Sequence, residues 1–284
     1  MNRQQEICNA FNQHAADYEQ AAKVQHEIGL RMFERLDYLK INPRYILDLG
    51  CGPGYFSHQL KKRYPDAQII AVDLAFAMLA KAAKKQRLWR KWPLVNGNMM
   101  TLPFANGVFD LVFANQVIHW ADSLGDLFRE LNRVMNTDGC LMFSTLGPDT
   151  FKELRQAWQG VHQYSHTNQF ADMHDIGDFL MAERFGDPVV DMEHLTVHYP
   201  SPQHIVNNLK QQGVRNINPQ RCTGLTGKQA WTTFKANYEQ YRTESGKYPL
   251  TYEVVYGHAW KGAQQQTSQG VETFIPVSAI KVKP

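Results

Sequence analysis

Asp48 stands two residues ahead of an alternating run, Gly50, Gly52 and Gly54, and Asp73 follows about twenty residues later. Alternating glycines let a backbone turn sharply and approach a ligand with no side chain in the way. A helix starting behind such a turn offers unpaired N–H donors. A dinucleotide loop needs Gly-x-Gly-x-x-Gly, and Tyr55 occupies the place of its third glycine. A Walker loop is excluded as well, since no Gly-Lys-Ser/Thr follows. A carboxylate at Asp48 repels phosphate and suits a cationic amino-acid end. That charge logic points to S-adenosylmethionine, which carries an ammonium and a sulfonium and no phosphate. Asp73, closing the next apolar run, is placed to accept both hydroxyls of a ribose.

These residues need a strand, a tight turn and a helix to hold them. Nearly continuous apolar runs, the mark of parallel strands buried on both faces, cover 45–49, 68–73 and 109–114. A fourth run lies at 140–145 and a short fifth at 93–95. Helical patterns fill 56–64, 75–89 and 123–135. In the last, Leu124, Leu127, Phe128, Leu131, Val134 and Met135 share one face, and Gly139 is expected to terminate it. Strand alternating with helix predicts an α/β, doubly wound, mostly parallel sheet. Half-buried antiparallel strands at 194–199 and 251–260 are expected to bring it to seven. One domain is expected, with a helical cap at 1–39 and a sheet core at 40–200 and 246–261. A helical insertion at 201–245 would act as a lid, and a tail at 262–284 would begin with a mobile loop from Gly262 to Gly270.

The composition, 43% hydrophobic and 20% charged, belongs to a globular chain and excludes a disordered, collagenous or coiled-coil one. A net charge of +3 is too small for a dedicated nucleic-acid binder. Cys8, Cys51, Cys140 and Cys222 form no CxxC pair, which argues against a disulfide framework or a metal site and for a reducing compartment. The first residues lack an export signature, and the longest apolar stretch, 69–80, is interrupted by Asp73. A cytoplasmic, membrane-free monomer is the expectation.

The runs Leu47 to Gly54, Asp73, Asn98-Met-Met-Thr-Leu-Pro-Phe and Phe109-Asp-Leu-Val-Phe-Ala-Asn-Gln together resemble the class I S-adenosylmethionine-dependent methyltransferases. The resemblance spans residues 45–145 and implies a Rossmann-like fold. It implies a cofactor held by Asp48, Gly50, Cys51, Gly52, Gly54, Asp73, Leu74, Asn98, Met99 and Asn115. Where the family commonly has Asp, this chain has Asn98, whose carbonyl still accepts one hydrogen bond from the adenine amino group. Met99 would pack on the adenine face, and Asn115 would lie near the methionine portion.

Four flanking segments, 11–22, 117–120, 209–216 and 247–257, resemble the malonyl-[acyl-carrier protein] O-methyltransferases of early biotin synthesis. The acceptor and partner so implied is malonyl-acyl-carrier protein. A malonyl carboxylate, with a pKa of about 4, is already an anion at neutral pH and needs no general base. Tyr18 and Trp120 are expected to close over the reacting centre and His119 to hydrogen-bond the acceptor. Lys210 or Arg215 is expected to pair with the free carboxylate. Plain packing is the alternative for Tyr18 and Trp120, and solvation for His119, Lys210 and Arg215. Lys81, Lys84, Lys85, Arg87, Arg90 and Lys91 form a basic run that is either a solvated face or a dock for an acidic carrier protein. Other readings stay open. One is a small-molecule methyltransferase acting on a quinone precursor or another acid, and another is a cofactor-binding assembly protein. The residues do not separate malonyl on a carrier protein from malonyl on coenzyme A. A nucleic-acid enzyme would show an Asn-Pro-Pro-Tyr-like motif, and Asn115-Gln-Val-Ile is not one.

Overall fold

The computed structural model describes residues 3–86, 91–214, 216–218, 221, 224, 226–262, 264–267 and 270–273. Helices α1 (Arg3–His14), α2 (Tyr18–Ala21) and α3 (Lys23–Arg35) come first. Strand and helix then alternate: β1 (Tyr45–Leu49), α4 (Tyr55–Arg63), β2 (Gln68–Asp73), α5 (Phe76–Lys85), β3 (Leu94–Asn96), β4 (Phe109–Asn115), α6 (Leu124–Val134) and β5 (Met135–Leu146). Two helices follow, α7 (Lys152–Trp158) and α8 (Met173–Ala182), before β6 (Phe185–Tyr199). Helices α9 (Pro202–Gln211) and α10 (Lys228–Tyr238) separate it from β7 (Tyr248–Lys261), and a hairpin of β8 (Gln264–Thr267) and β9 (Gly270–Thr273) ends the described chain.

The main sheet has seven strands in the order β3-β2-β1-β4-β5-β7-β6, with β7 antiparallel to both its neighbours. This is the expected Rossmann-like methyltransferase topology. Strand order reverses between β1 and β4, and a crevice opens at the carboxyl ends of strands around such a switch point. Side chains alternate across the sheet. Ile46, Leu111 and Phe113 pack with Ile28 and Met32 of α3, while Leu47, Val112 and Ala114 pack with Leu127, Phe128 and Leu131 of α6. With both faces covered, apolar residues are needed at every position, which is why the strands read as unbroken runs.

The structure departs from the sequence reading at several places. The Ser123 side chain accepts from Asp126 N and caps α6, but the helix ends at Val134, and Met135 already pairs with Phe109 in the sheet. Gly139 therefore does not terminate a helix. It lies in a bulge between the Phe109–Met135 and Leu111–Cys140 pairs, where a Cβ would stand 2.9 Å from the Phe109 carbonyl oxygen. Strand β7 is buried along most of its length rather than half-buried, because both its faces are packed, Tyr252 and Val254 against Phe151 and Leu154 and, on the other side, Val255 and Ala259 against Leu180 and Phe185. Helix α5 stops at Lys85, short of Trp89, and Gln86 is extended. Within the segment foreseen as a mobile loop, Gln264–Thr267 pair with Gly270–Thr273, and residues 263, 268 and 269 lie outside the described residues. Among the described residues no helix is long and apolar enough to cross a membrane.

Gly257 on β7 lies directly opposite Phe143 on β5, and a Cβ there would stand 2.1 Å from the Phe143 ring. The ring is fully buried and has nowhere to move. Gly257→Ala is therefore expected to destabilise the fold by about 1–3 kcal/mol through overpacking, read as a lower Tm.

Candidate functional site

The glycine turn follows β1 and enters α4. Gly50, Gly52 and Gly54 have φ of 68°, 54° and 79°, all in the left-handed region. A Cβ on Gly50 would stand 2.5 Å from the Val117 side chain, and one on Gly54 would stand 2.9 Å from Ala82 Cβ. Both conformation and space therefore demand glycine at these positions. Asp73 holds the turn from the neighbouring strand: Gly52 N donates to its Oδ2 at 2.8 Å, and Ala75 N donates to its Oδ1 at 2.8 Å. Burial pushes the Asp73 carboxyl up to about 6, against the pull of those backbone donors. Each oxygen keeps a lone pair for a ribose hydroxyl.

A cavity opens over this turn. Its walls include Gly50, Gly52, Asp73, Leu74, Asn98, Met99 and Asn115, and helix α1 adds Gln4, Ile7 and Phe11. Among the described residues no Lys or Arg lines it, so it lacks the cations that would favour a pyrophosphate, and its fixed charge is the Asp73 carboxylate. These walls fit a sulfonium nucleoside. Asn98 donates to Gln4 Oε1 at 2.9 Å and accepts from Met100 N at 3.0 Å, which orients the amide. At the end of β4, Asn115 Oδ1 accepts from the Ser144 hydroxyl at 2.8 Å. Asp48 and Cys51 face a second groove behind the turn, which also holds His26 and Tyr55. Burial pushes Asp48 up to about 7, opposed by the Ser57 hydroxyl that donates to it.

Another cavity adjoins the first, and Phe11, Tyr18, Gln116 and Trp120 line both. Phe11 meets Trp120 edge-on at 5.5 Å and Tyr18 at 6.2 Å, so three rings form the shared wall. His119 lines only the adjoining cavity, 3.4 Å from Thr145 Oγ1. Burial, with Arg3 adding to it, lowers its pKa to about 3, so the imidazole is neutral at physiological pH. Gln25, Phe151, Phe170, Gln212 and Tyr252 complete most of the wall. The structure thus brings Tyr18, His119 and Trp120 together. Lys210 is exposed on α9 and lines none of these cavities, and Arg215 lies outside the described residues.

The basic run is partly internal. Lys81 donates to the Ala16 carbonyl at 2.7 Å and Lys85 pairs with Glu19, which ties α5 to the N-terminal cap. Lys84 and Lys91 are exposed, while Arg87 and Arg90 lie outside the described residues. Sequence reasoning missed Gln4, Phe11, Gln116, Gln25 and Tyr252 as wall residues. Phe11 and Tyr252 sit within segments singled out for their resemblance, whereas no local pattern marks Gln25.

A ribose held by both Asp73 oxygens would need that group as a carboxylate. Cofactor affinity should be full above pH 7 and fall about tenfold per unit as pH drops below about 6. Asp73→Asn should weaken binding on the order of 100-fold at pH 7.5 and flatten that dependence, as isothermal calorimetry across pH 5–8 will read.

Residues 47–143 match the model of the methyltransferase domain family. The fold is shared with the YcgJ protein of Bacillus subtilis at a TM-score of 0.56 and 15% identity, covering 83% of this chain and 98% of that one. It is shared too with the [4+2]-cyclase SpnF at a TM-score of 0.51 and 16% identity, covering 81% and 80%, so the fold by itself does not name a reaction. Sequence relatives are more specific. The malonyl-[acyl-carrier protein] O-methyltransferase of Legionella pneumophila is 65% identical over 98% of each chain, and that of Gallionella capsiferriformans is 45% identical over 92% of each. Likeness of that extent, running through the glycine turn, the cap and the insertion alike, shows that the chain belongs to the malonyl-[acyl-carrier protein] O-methyltransferase family.

Proposed function

We propose that this chain methylates the free carboxylate of malonyl-acyl-carrier protein, the esterification that opens biotin synthesis. The observation that carries this reading is the shared wall of Phe11, Tyr18, Gln116 and Trp120 between a cofactor cavity and a second, mostly apolar one. Gly50, Gly52, Gly54 and Asp73 would hold the nucleoside, with Leu74, Asn98 and Met99 around the base. Asn115, Asp48 and Cys51 would face the amino-acid end. Bound there, S-adenosylmethionine supplies a methyl on a sulfonium, which a carboxylate oxygen takes while the carbon–sulfur pair returns to sulfur and no proton moves.

The residues of the second cavity suit that chemistry. Two opposite charges cancel along the reaction, so a dry, weakly polar surrounding favours it over water. The rings of Phe11, Tyr18 and Trp120 exclude solvent at the junction. Tyr18 stays a neutral phenol, its pKa raised first by burial and then by Asp73. His119, neutral as well, offers a hydrogen bond without a charge. Positioning and desolvation supply the rate, and no acid–base pair is required. The N-terminal helices and the 201–245 insertion would together cover the site, since Gln212 Nε2 donates to the Ala21 carbonyl at 3.1 Å and joins the two.

Incubation of the protein with labelled S-adenosylmethionine and malonyl-acyl-carrier protein should give a base-labile methyl ester. Malonyl-coenzyme A, run in parallel, should be the poorer acceptor. Transfer only to free small acids would overturn the assignment.

A further inference from the structure

Gln4 and Asn98 both line the cavity over the glycine turn, yet they come from distant parts of the chain, Gln4 from the first turn of α1 and Asn98 from the segment after β3. Their amides meet there: Asn98 Nδ2 donates to Gln4 Oε1 at 2.9 Å. A contact between two amides can run in either direction, because each has a donor end and an acceptor end. Here the outer neighbours decide. Gln4 Nε2 donates to Asp122 Oδ2 at 2.8 Å, and a carboxylate only accepts, so the Gln4 oxygen must face Asn98. On the far side Met100 N donates to Asn98 Oδ1 at 3.0 Å, and a backbone N–H only donates. The polarity of the whole series, from Asp122 through Gln4 and Asn98 to the Met100 backbone, is set at both ends.

The same residues fasten α1 over the cavity. Arg3 Nη1 donates to the Ala121 carbonyl at 2.9 Å and pairs with Asp122 Oδ1 at 3.2 Å. Ile7 packs with Trp120, and Met99 packs against them. Asp122 therefore takes Arg3 on one oxygen and Gln4 on the other. Gln4, half-buried in the cavity wall, links that fastening to Asn98.

The Asn98 carbonyl oxygen has two lone pairs, and Met100 N takes one. The other suits the amino group at C6 of adenine. The amide cannot turn over to present a donor to the base without losing both the Gln4 and the Met100 bonds. A purine with oxygen at C6 would therefore meet an acceptor with an acceptor, which costs binding. An acid at 98 would accept the same amino proton, and more strongly. It would, however, set an acceptor against the Gln4 oxygen, and turning Gln4 over only moves that clash to Asp122. An amide at 98 serves the base and the cap helix together.

Resting on the cofactor reading above, we infer that Gln4 is a positioning residue for the nucleobase. It acts through Asn98, fixing which end of that amide faces the base, and it ties base recognition to the seating of α1. Preference for a 6-amino purine is thus shared between the sheet and the N-terminal cap.

The test is a cycle of Gln4→Ala, Asn98→Asp and the two together in the full chain, read as the Kd of S-adenosylhomocysteine by calorimetry. Gln4→Ala is expected to weaken binding about threefold to tenfold, and Asn98→Asp about tenfold while Gln4 is present. With Gln4→Ala already made, Asn98→Asp should cost nothing further, because the acceptor facing it has gone. An equal cost in both backgrounds overturns the proposal, and so does an unchanged Kd for Gln4→Ala. S-inosylhomocysteine, with oxygen in place of the amino group, separates positioning from packing. Gln4→Ala should cut the preference for the amino form about tenfold, whereas an equal loss for both ligands marks packing alone and overturns the proposal. A wild-type chain that does not bind S-adenosylhomocysteine condemns the cofactor reading instead, an outcome distinct from these.

Discussion

The single contact on which the site rests is the Asp73 carboxylate reaching across from β2 to the backbone N–H of Gly52. A loop of three left-handed glycines has unusual freedom when unfolded, and holding it in one shape requires an anchor. Asp73 supplies that anchor with one oxygen and grips the start of α5 through Ala75 with the other. The parallel pairing of β1 with β2 sets Asp48 opposite Ala71 and brings the end of one strand beside the turn that leaves the other. Loop shape and helix start therefore depend on one buried charge. Its elevated pKa is the consequence of keeping a carboxylate out of water with backbone donors alone.

Among the described residues, no Lys or Arg lines the cavity over the turn or the one beside it, while Lys23 lines the groove behind the turn. Lys81 and Lys85 are turned to the N-terminal cap, and Arg3 is held by the Ala121 carbonyl and Asp122. The cofactor cavity keeps one carboxylate, and the cavity beside it keeps neutral donors and aromatic rings. For a reaction in which an anion meets a cation and both charges vanish, this arrangement is consistent: among the described residues, no Lys or Arg in these two walls competes with a sulfonium for the acceptor carboxylate. The same fold carries other activities, as the likeness to a [4+2]-cyclase illustrates. In this chain part of the second cavity's wall comes from α1, α2 and the segment after α9.

Much of the fold was legible because its strands are buried on both faces. Runs 45–49 and 68–73 match β1 and β2 residue for residue, since a central parallel strand must be apolar throughout and stops where the apolar run stops. Gly139 misled for an equally physical reason. Glycine after a helical pattern is the usual sign of a helix end, but here the chain passes from α6 straight into β5, and the residue serves a bulge against the Phe109 carbonyl. Strand β7 was misjudged in burial because the residue pattern does not say that both its faces will be covered, Tyr252 and Val254 packing with Phe151 and Leu154 on one side and Val255 and Ala259 with Leu180 and Phe185 on the other.

The sequence by itself determined the glycine turn, the acid that answers it one strand later and the exclusion of a phosphate ligand. Those depend on backbone conformation and charge within some thirty consecutive residues. Only the tertiary structure decided what lines the cavity beside the turn. Phe11, Gln25, Trp120, Gln212 and Tyr252 come from five separate parts of the chain and meet only when the N-terminal helices close over the sheet. No spacing rule connects residues 11 and 252. Their meeting is set by packing.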